Sequence, residues 1–192
     1  MSDKSSPTSS AGDRVTIEEL LGDEPAPADV VVRFPSPHFP APPAFQVSVP
    51  AHWQAVPVPE AEMALRDPDP VDGFHPNVVV RVRRVAALEA VTDELLHSAL
   101  HQPADGSGLE IVDQEVRADL DTPARWLLVR FRAPQGQLLL ARHLLVYVPT
   151  TEHVASIVTV VGTFPASAAA DLGPRMDRIV GSLRLALDPN RS

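Results

Sequence analysis

The sequence predicts an α+β fold: a central antiparallel sheet of about six to seven strands with helices packed on it, preceded by a proline-rich arm. Two observations carry this. Apolar residues recur with period two in short segments up to Val85, shift to three- and four-residue spacing over 87–101, return to strand texture up to Thr163, and shift again after Ala168. The resulting order of strand, strand, strand, helix, four strands, helix does not alternate β with α, so an antiparallel sheet fits better than a doubly wound parallel one. At 192 residues, 44% hydrophobic and 21% charged, the chain has the size and composition of one globular domain with some spare length.

The spare length lies at the front. Residues 1 to about 14 hold hardly any large apolar group and cannot offset the entropy of ordering, which predicts a disordered tail. In VTIEELLGDE, Thr16 and Glu19 have capping-box spacing and Gly22 a stop, predicting a helical turn over 16–22. Its Ile17, Leu20 and Leu21 dock either on a partner or on the chain's own domain. From Asp23 to Pro43, prolines hem in one strand-like fragment, Val30 to Phe34, so this stretch is extended linker or at most an edge strand. Residues 1–43 are thus expected to form a flexible acidic arm, 44–186 the domain and 187–192 a tail.

Within the domain, Phe45, Val47 and Val49 alternate with Gln46 and Ser48, and Pro50 ends that strand. Glu62 to Arg66 is a short second strand. Asn77 to Val85 sets Val78, Val80 and Val82 on one face, with Arg81 and Arg83 on the other. Leu88, Val91, Leu95 and Ala99 mark an amphipathic helix over 87–101. Leu109 to Val116 and Arg125 to Arg132 resume strand texture, and PQGQ predicts a hairpin turn. Leu138 to Val148 and His153 to Thr163 are long and apolar on both faces, as central strands are. Leu172, Met176, Ile179, Val180 and Leu183 predict a final helix from about Pro174, in its first turn, to Leu185.

Composition narrows function. With no cysteine, thiolate nucleophiles, disulfides and Cys-ligated metals are excluded. A net charge of −9 argues against nucleic-acid and anionic-membrane surfaces, which draw on clustered basic residues. No apolar leader or roughly 18-residue apolar run is present, giving a cytoplasmic location and no membrane insertion as the expectation. Lys4 is the only lysine, a usage that fits a high-GC bacterial genome.

The densest group of reactive side chains is RDPDPVDGFHPN, residues 66–77. A calcium loop starting at Asp67 fails, because Gly73 falls at position 7 and Val78 at position 12. The loop therefore reads as a proline-stiffened connection. Glu94, His97 and His101 could share a helix face as zinc ligands, but Ser98 stands where a metalloprotease base would be; surface histidines are the plainer reading. His143 and His153 fall in neighbouring strands and could approach across a hairpin, or be partly buried separately. No GxSxG, phosphate loop or Rossmann fingerprint occurs. Trp53 and Trp126 either pack in the core or line a groove as ligand anchors. Arg81, Arg83, Arg130 and Arg132 would form a basic stripe if their strands were neighbours, with pairing to local carboxylates as the alternative.

FQVSVPAHW, GFHPNVVVRVRRV, the following helix, VDQEV with RWLLVRF, then LLLARHLLVYV, HVASIVTVVGT and the last helix together resemble the PsbP-like α/β/α sandwich, most closely its LpqN-type branch of actinobacterial lipoproteins. The resemblance covers about residues 44 to 186. Its most specific parts are Pro50 with Trp53, and Phe74 to Asn77. The acylated cysteine of those lipoproteins is missing, so export and lipidation do not carry over. The resemblance implies binding in place of catalysis: a non-enzymatic protein-binding or assembly protein, without a cofactor, with a carrier of a small apolar ligand as the alternative.

Overall fold

The computed structural model describes residues 40–88, 91–100, 108–117 and 122–186. The expected helical turn over 16–22 with Ile17, Leu20 and Leu21, the fragment Val30 to Phe34 and the tail 187–192 lie outside the described residues.

Nine strands are described: β1 (Ala44–Gln46), β2 (Gln54–Ala55), β3 (Met63–Arg66), β4 (Asn77–Ala86), β5 (Glu110–Val116), β6 (Ala124–Arg132), β7 (Leu138–Pro149), β8 (Val154–Pro165) and β9 (Arg184–Ala186). Two helices accompany them, α1 (Asp93–His97) and α2 (Ala169–Val180), the latter led in by a 3-10 turn over Ala166–Ala168. Seven strands form one sheet in the order β2-β3-β4-β8-β7-β6-β5, with every neighbouring pair antiparallel. The two long apolar segments are its middle, β8 between β4 and β7.

Register sorts each strand into two faces. Val78, Val80, Leu144, Val146, Val148, Val158, Val160 and Phe164 face α2, whose Leu172, Met176, Ile179 and Val180 complete that core. A methyl group on Gly162 would stand 2.9 Å from Val180 Cγ2 and 3.1 Å from Met176 Sδ, so the missing side chain lets α2 lie directly on the sheet. The opposite face carries Leu127, Val129, Leu145, Tyr147, Ala155 and Ile157 under Leu96 of α1.

Both helices differ from expectation. Residues 87–101 do not make one helix: β4 stays in register with β8 to Ala86, and Thr92 restarts the chain as an N-cap, its Oγ1 accepting the Leu95 N–H at 3.2 Å. The helix ends at His97. The last helix starts earlier and stops earlier, with Pro174 inside it. Pro174 supplies no amide to the carbonyl one turn back, a loss this helix tolerates. Gly181 closes it by donating to Asp177 O at 2.9 Å, and Leu185 then pairs opposite Phe45 in the β1–β9 ribbon. The first expected strand is correspondingly cut to Ala44–Gln46, although Val47 and Val49 still pack on the core. The PQGQ turn forms as expected, with Gly136 at φ 85° and its N–H donating to Ala133 O at 2.7 Å.

Candidate functional site

The loop RDPDPVDGFHPN joins β3 to β4 and folds back on itself: Val71 and Phe74 exchange N–H···O bonds of 2.8 and 3.0 Å, around Asp72 and Gly73 at φ 50° and 77°. Asp67 is only 5% exposed. Its Oδ1 accepts the Asp69 N–H at 3.1 Å and lies 3.4 Å from His52 Nε2, while Oδ2 lies 3.3 Å from Arg175 of α2. Its carbonyl meets His75 Nδ1 at 2.9 Å. Asp72 bonds Ser167 Oγ through its side chain and, at 3.0 Å, Gln137 Nε2 through its carbonyl. The aspartates thus point at different partners, and among the described residues no cluster of His, Asp and Glu could hold a metal ion. This geometry fastens the loop to α2, to the 3-10 turn and to the β6–β7 turn.

Trp53 and Trp126 are both buried. Arg117 and Arg142 lie 5.1 and 5.9 Å from the Trp126 ring centroid, and Arg142 also pairs with Asp177 of α2 at 2.6 Å. The basic stripe does not form. Strands β8 and β7 separate β4 from β6 by about 14 Å. The pairs also face opposite ways: Arg81 and Arg83 register with Thr159 and Ile157 on the α1 side, Arg130 and Arg132 with Leu140 and Leu138 on the α2 side. Arg83 donates to Ser98 O and Oγ at 3.1 and 2.6 Å, and Arg130 chelates Glu110 at 2.6 to 3.0 Å.

His143 and His153 do not meet either. His143 registers with Val161, eight residues along β8 from His153, or about 26 Å. His153 is exposed at the turn beside Glu152, 3.0 Å away. His143 is 4% exposed and its Nδ1 has no hydrogen-bond partner. Burial, and secondarily the Arg81 charge, push it from 6.5 down to about 4. Glu94 and His97 lie in α1, which ends at His97, and His101 lies outside the described residues.

Open grooves mark the described surface, two of them next to features already described. One of about 540 Å³ is lined by Gly108, Glu110, Arg130, Phe131, Arg132 and Leu138; the other, of about 360 Å³, by Ser48, Val49, Pro50, Arg175, Arg178 and Ile179. Neither is the enclosed apolar pocket a carrier needs. Between sheet and α2 the space is occupied by side chains in contact, down to Gly162.

Strand β5 forms as expected, but sequence reasoning missed its place at the edge of the sheet. It is the outermost strand of the sheet beyond β6, and all seven of its residues are exposed. Ile111, Val112 and Val116 are 40%, 48% and 59% exposed, three of the four large apolar side chains so placed among the described residues. A register shift between Ile111 and Asp113 leaves Val112 as an extra residue, and Glu110, Asp113 and Glu115 add three carboxylates. The segment EIVDQEV signals only the bulge, where the acids at 110, 113 and 115 break period two.

No family model and no curated protein matches the chain in sequence. Solved structures do match in shape. The crystal structure of LpqN, involved in cell envelope biogenesis of Mycobacterium tuberculosis, matches with TM-score 0.57 at 15% identity, over 76% of this chain and 84% of that one. The solution structure of cyanobacterial PsbP (CyanoP) from Synechocystis matches with TM-score 0.51 at 16% identity, over 74% of this chain and 86% of that one. A seven-stranded antiparallel sheet with helices on it, aligned over most of both chains, gives this protein the LpqN/PsbP-like α+β sandwich fold.

Proposed function

We propose that this chain is a non-enzymatic, protein-binding accessory domain and that its partner docks by adding a strand to β5. The observation that carries the reading is the edge itself. An outermost strand offers backbone N–H and C=O groups on its open side, and proteins normally shorten, cover or charge such edges. Here the opposite edge, β2, has two residues, whereas β5 has seven with three exposed branched side chains; its three carboxylates and its bulge screen it against unselective pairing and leave it open to a partner that answers them. Strand addition uses these features directly: ladder bonds supply affinity and the outward side chains selectivity. The role of LpqN in envelope biogenesis and the likeness to PsbP fit an accessory role.

The test places a photo-crosslinking residue at Val112 of the full-length chain in its source cells. One discrete protein adduct is expected, lost when Val116→Lys is added. Adducts that persist unchanged with Val116→Lys, in a protein still folded by circular dichroism, would refute docking at β5.

A further inference from the structure

Resting on that reading, we infer that the strand received by β5 is cationic, alternating basic and apolar side chains, and belongs to a different protein. Register gives β5 two unlike faces. Asp113 and Glu115 stand beside Leu128 and Trp126 on the α2 side of the sheet; Ile111 and Val116 stand beside Val129 and Arg125 on the α1 side. A strand laid along β5 therefore meets carboxylates on one face and branched apolar groups on the other.

No basic residue lies within 110–116. The arginines nearby are committed: Arg130 to Glu110, Arg125 to Asp93 at 2.6 Å, and Arg117 over Trp126. Asp113 and Glu115 make no ion pair among the described residues, so their charge remains for a partner to answer.

A second copy of the chain is the wrong occupant. Antiparallel self-pairing centred on Asp113 sets Asp113 against its own copy and Glu115 against Ile111; a parallel in-register pair stacks all three acids. Like charges directly opposite destabilise a ladder, and two chains of net charge −9 repel on approach. The bulge at Val112 also bends the edge locally, which disfavours a long symmetric ladder.

Three seven-residue peptides test this on the full chain: arginine alternating with valine, threonine with valine, and glutamate with valine. Backbone amide NMR shifts report where each lands, and fluorescence anisotropy reports affinity. The arginine peptide is expected to shift amides 110–116 and to bind at least tenfold tighter than the threonine peptide. That preference should vanish in the Asp113→Lys/Glu115→Lys protein and shrink as salt rises. If the threonine or glutamate peptide perturbs 110–116 as strongly as the arginine peptide, the cationic partner is overturned while strand docking stands. If no peptide perturbs 110–116, both fall. A dimer in sedimentation that Val116→Lys dissociates would show the second copy as occupant and overturn the inference.

Discussion

Asp67 and Arg175, 108 positions apart in the chain, meet with Oδ2 3.3 Å from the guanidinium, the carboxylate buried and the arginine partly in solvent. The pair ties the β3–β4 loop to α2, and the carboxylate also holds the Asp69 amide and faces His52. Removing the carboxylate takes the acceptor from the Asp69 amide and the partner from half-exposed His52 and Arg175. Asp67→Ala is expected to cost about 1–3 kcal/mol in urea denaturation. Arg175→Ala should cost less, since the arginine is more than a third exposed and Asp67 keeps its backbone donor. Equal losses would mean that the ion pair alone holds the loop.

Gly162 gives a second prediction. The added methyl of Gly162→Ala meets Val180 Cγ2 at 2.9 Å and Met176 Sδ at 3.1 Å, so these side chains must repack or α2 must shift. A loss of about 1–3 kcal/mol is expected. Pairing it with Val180→Ala should recover part of that loss, a coupling that a double-mutant cycle reads directly.

His143 sets a pH dependence. Its folded value of about 4 lies below the ordinary 6.5, so the unfolded chain takes up the proton more readily. The stability linked to neutral His143 is fully present above about pH 6.5 and is lost as pH falls toward 4, on the order of 3 kcal/mol in all. His143→Leu should flatten that limb in denaturation curves between pH 4 and 7. The leucine protein should be no less stable at pH 7, because the buried Nδ1 has no partner to lose. An unchanged slope would assign the acid sensitivity elsewhere.

Trp53 and Trp126 separate packing from polar bonding. Trp53 Nε1 is buried without a hydrogen bond, so Trp53→Phe should cost less than about 1.5 kcal/mol, against about 3–5 for Trp53→Ala. Trp126→Phe should cost more than Trp53→Phe, because Arg117 and Arg142 both lie against the larger ring. Thermal unfolding of the three variants checks the order.

The long segments were legible because each carries its own period. Val78 and Val80 in β4, the two-faced apolar runs of β7 and β8, and the turn at Gly136 all stand where periodicity and turn chemistry set them. Strands β2 and β9, of two and three residues, are too short to show a period, and β9 sits where Leu183 and Leu185 prolong a helical stripe. Strand order was hidden for a different reason. Whether Arg81 neighbours Arg130, or whether β5 lies outermost, depends on pairing between segments remote in sequence, which no local pattern encodes. The loop at 66–77 is the connection that its prolines predict, but the pairing of its Asp67 with Arg175 reaches a helix more than a hundred residues away.

The β1–β9 ribbon has a mechanical consequence. Ala44 lies opposite Ala186, so these two positions stand side by side, and just ahead of them Pro40 is buried with its carbonyl accepting from Arg84 of β4. A load drawing those two positions apart falls first on Ala44 and Ala186, then on Phe45 and Leu185, parting the ribbon like a zipper one pair at a time. Within the stretch between those two positions the three-pair ribbon is the weak link, and the ten- and eleven-pair ladders of β8 with β4 and β7 are the strong ones.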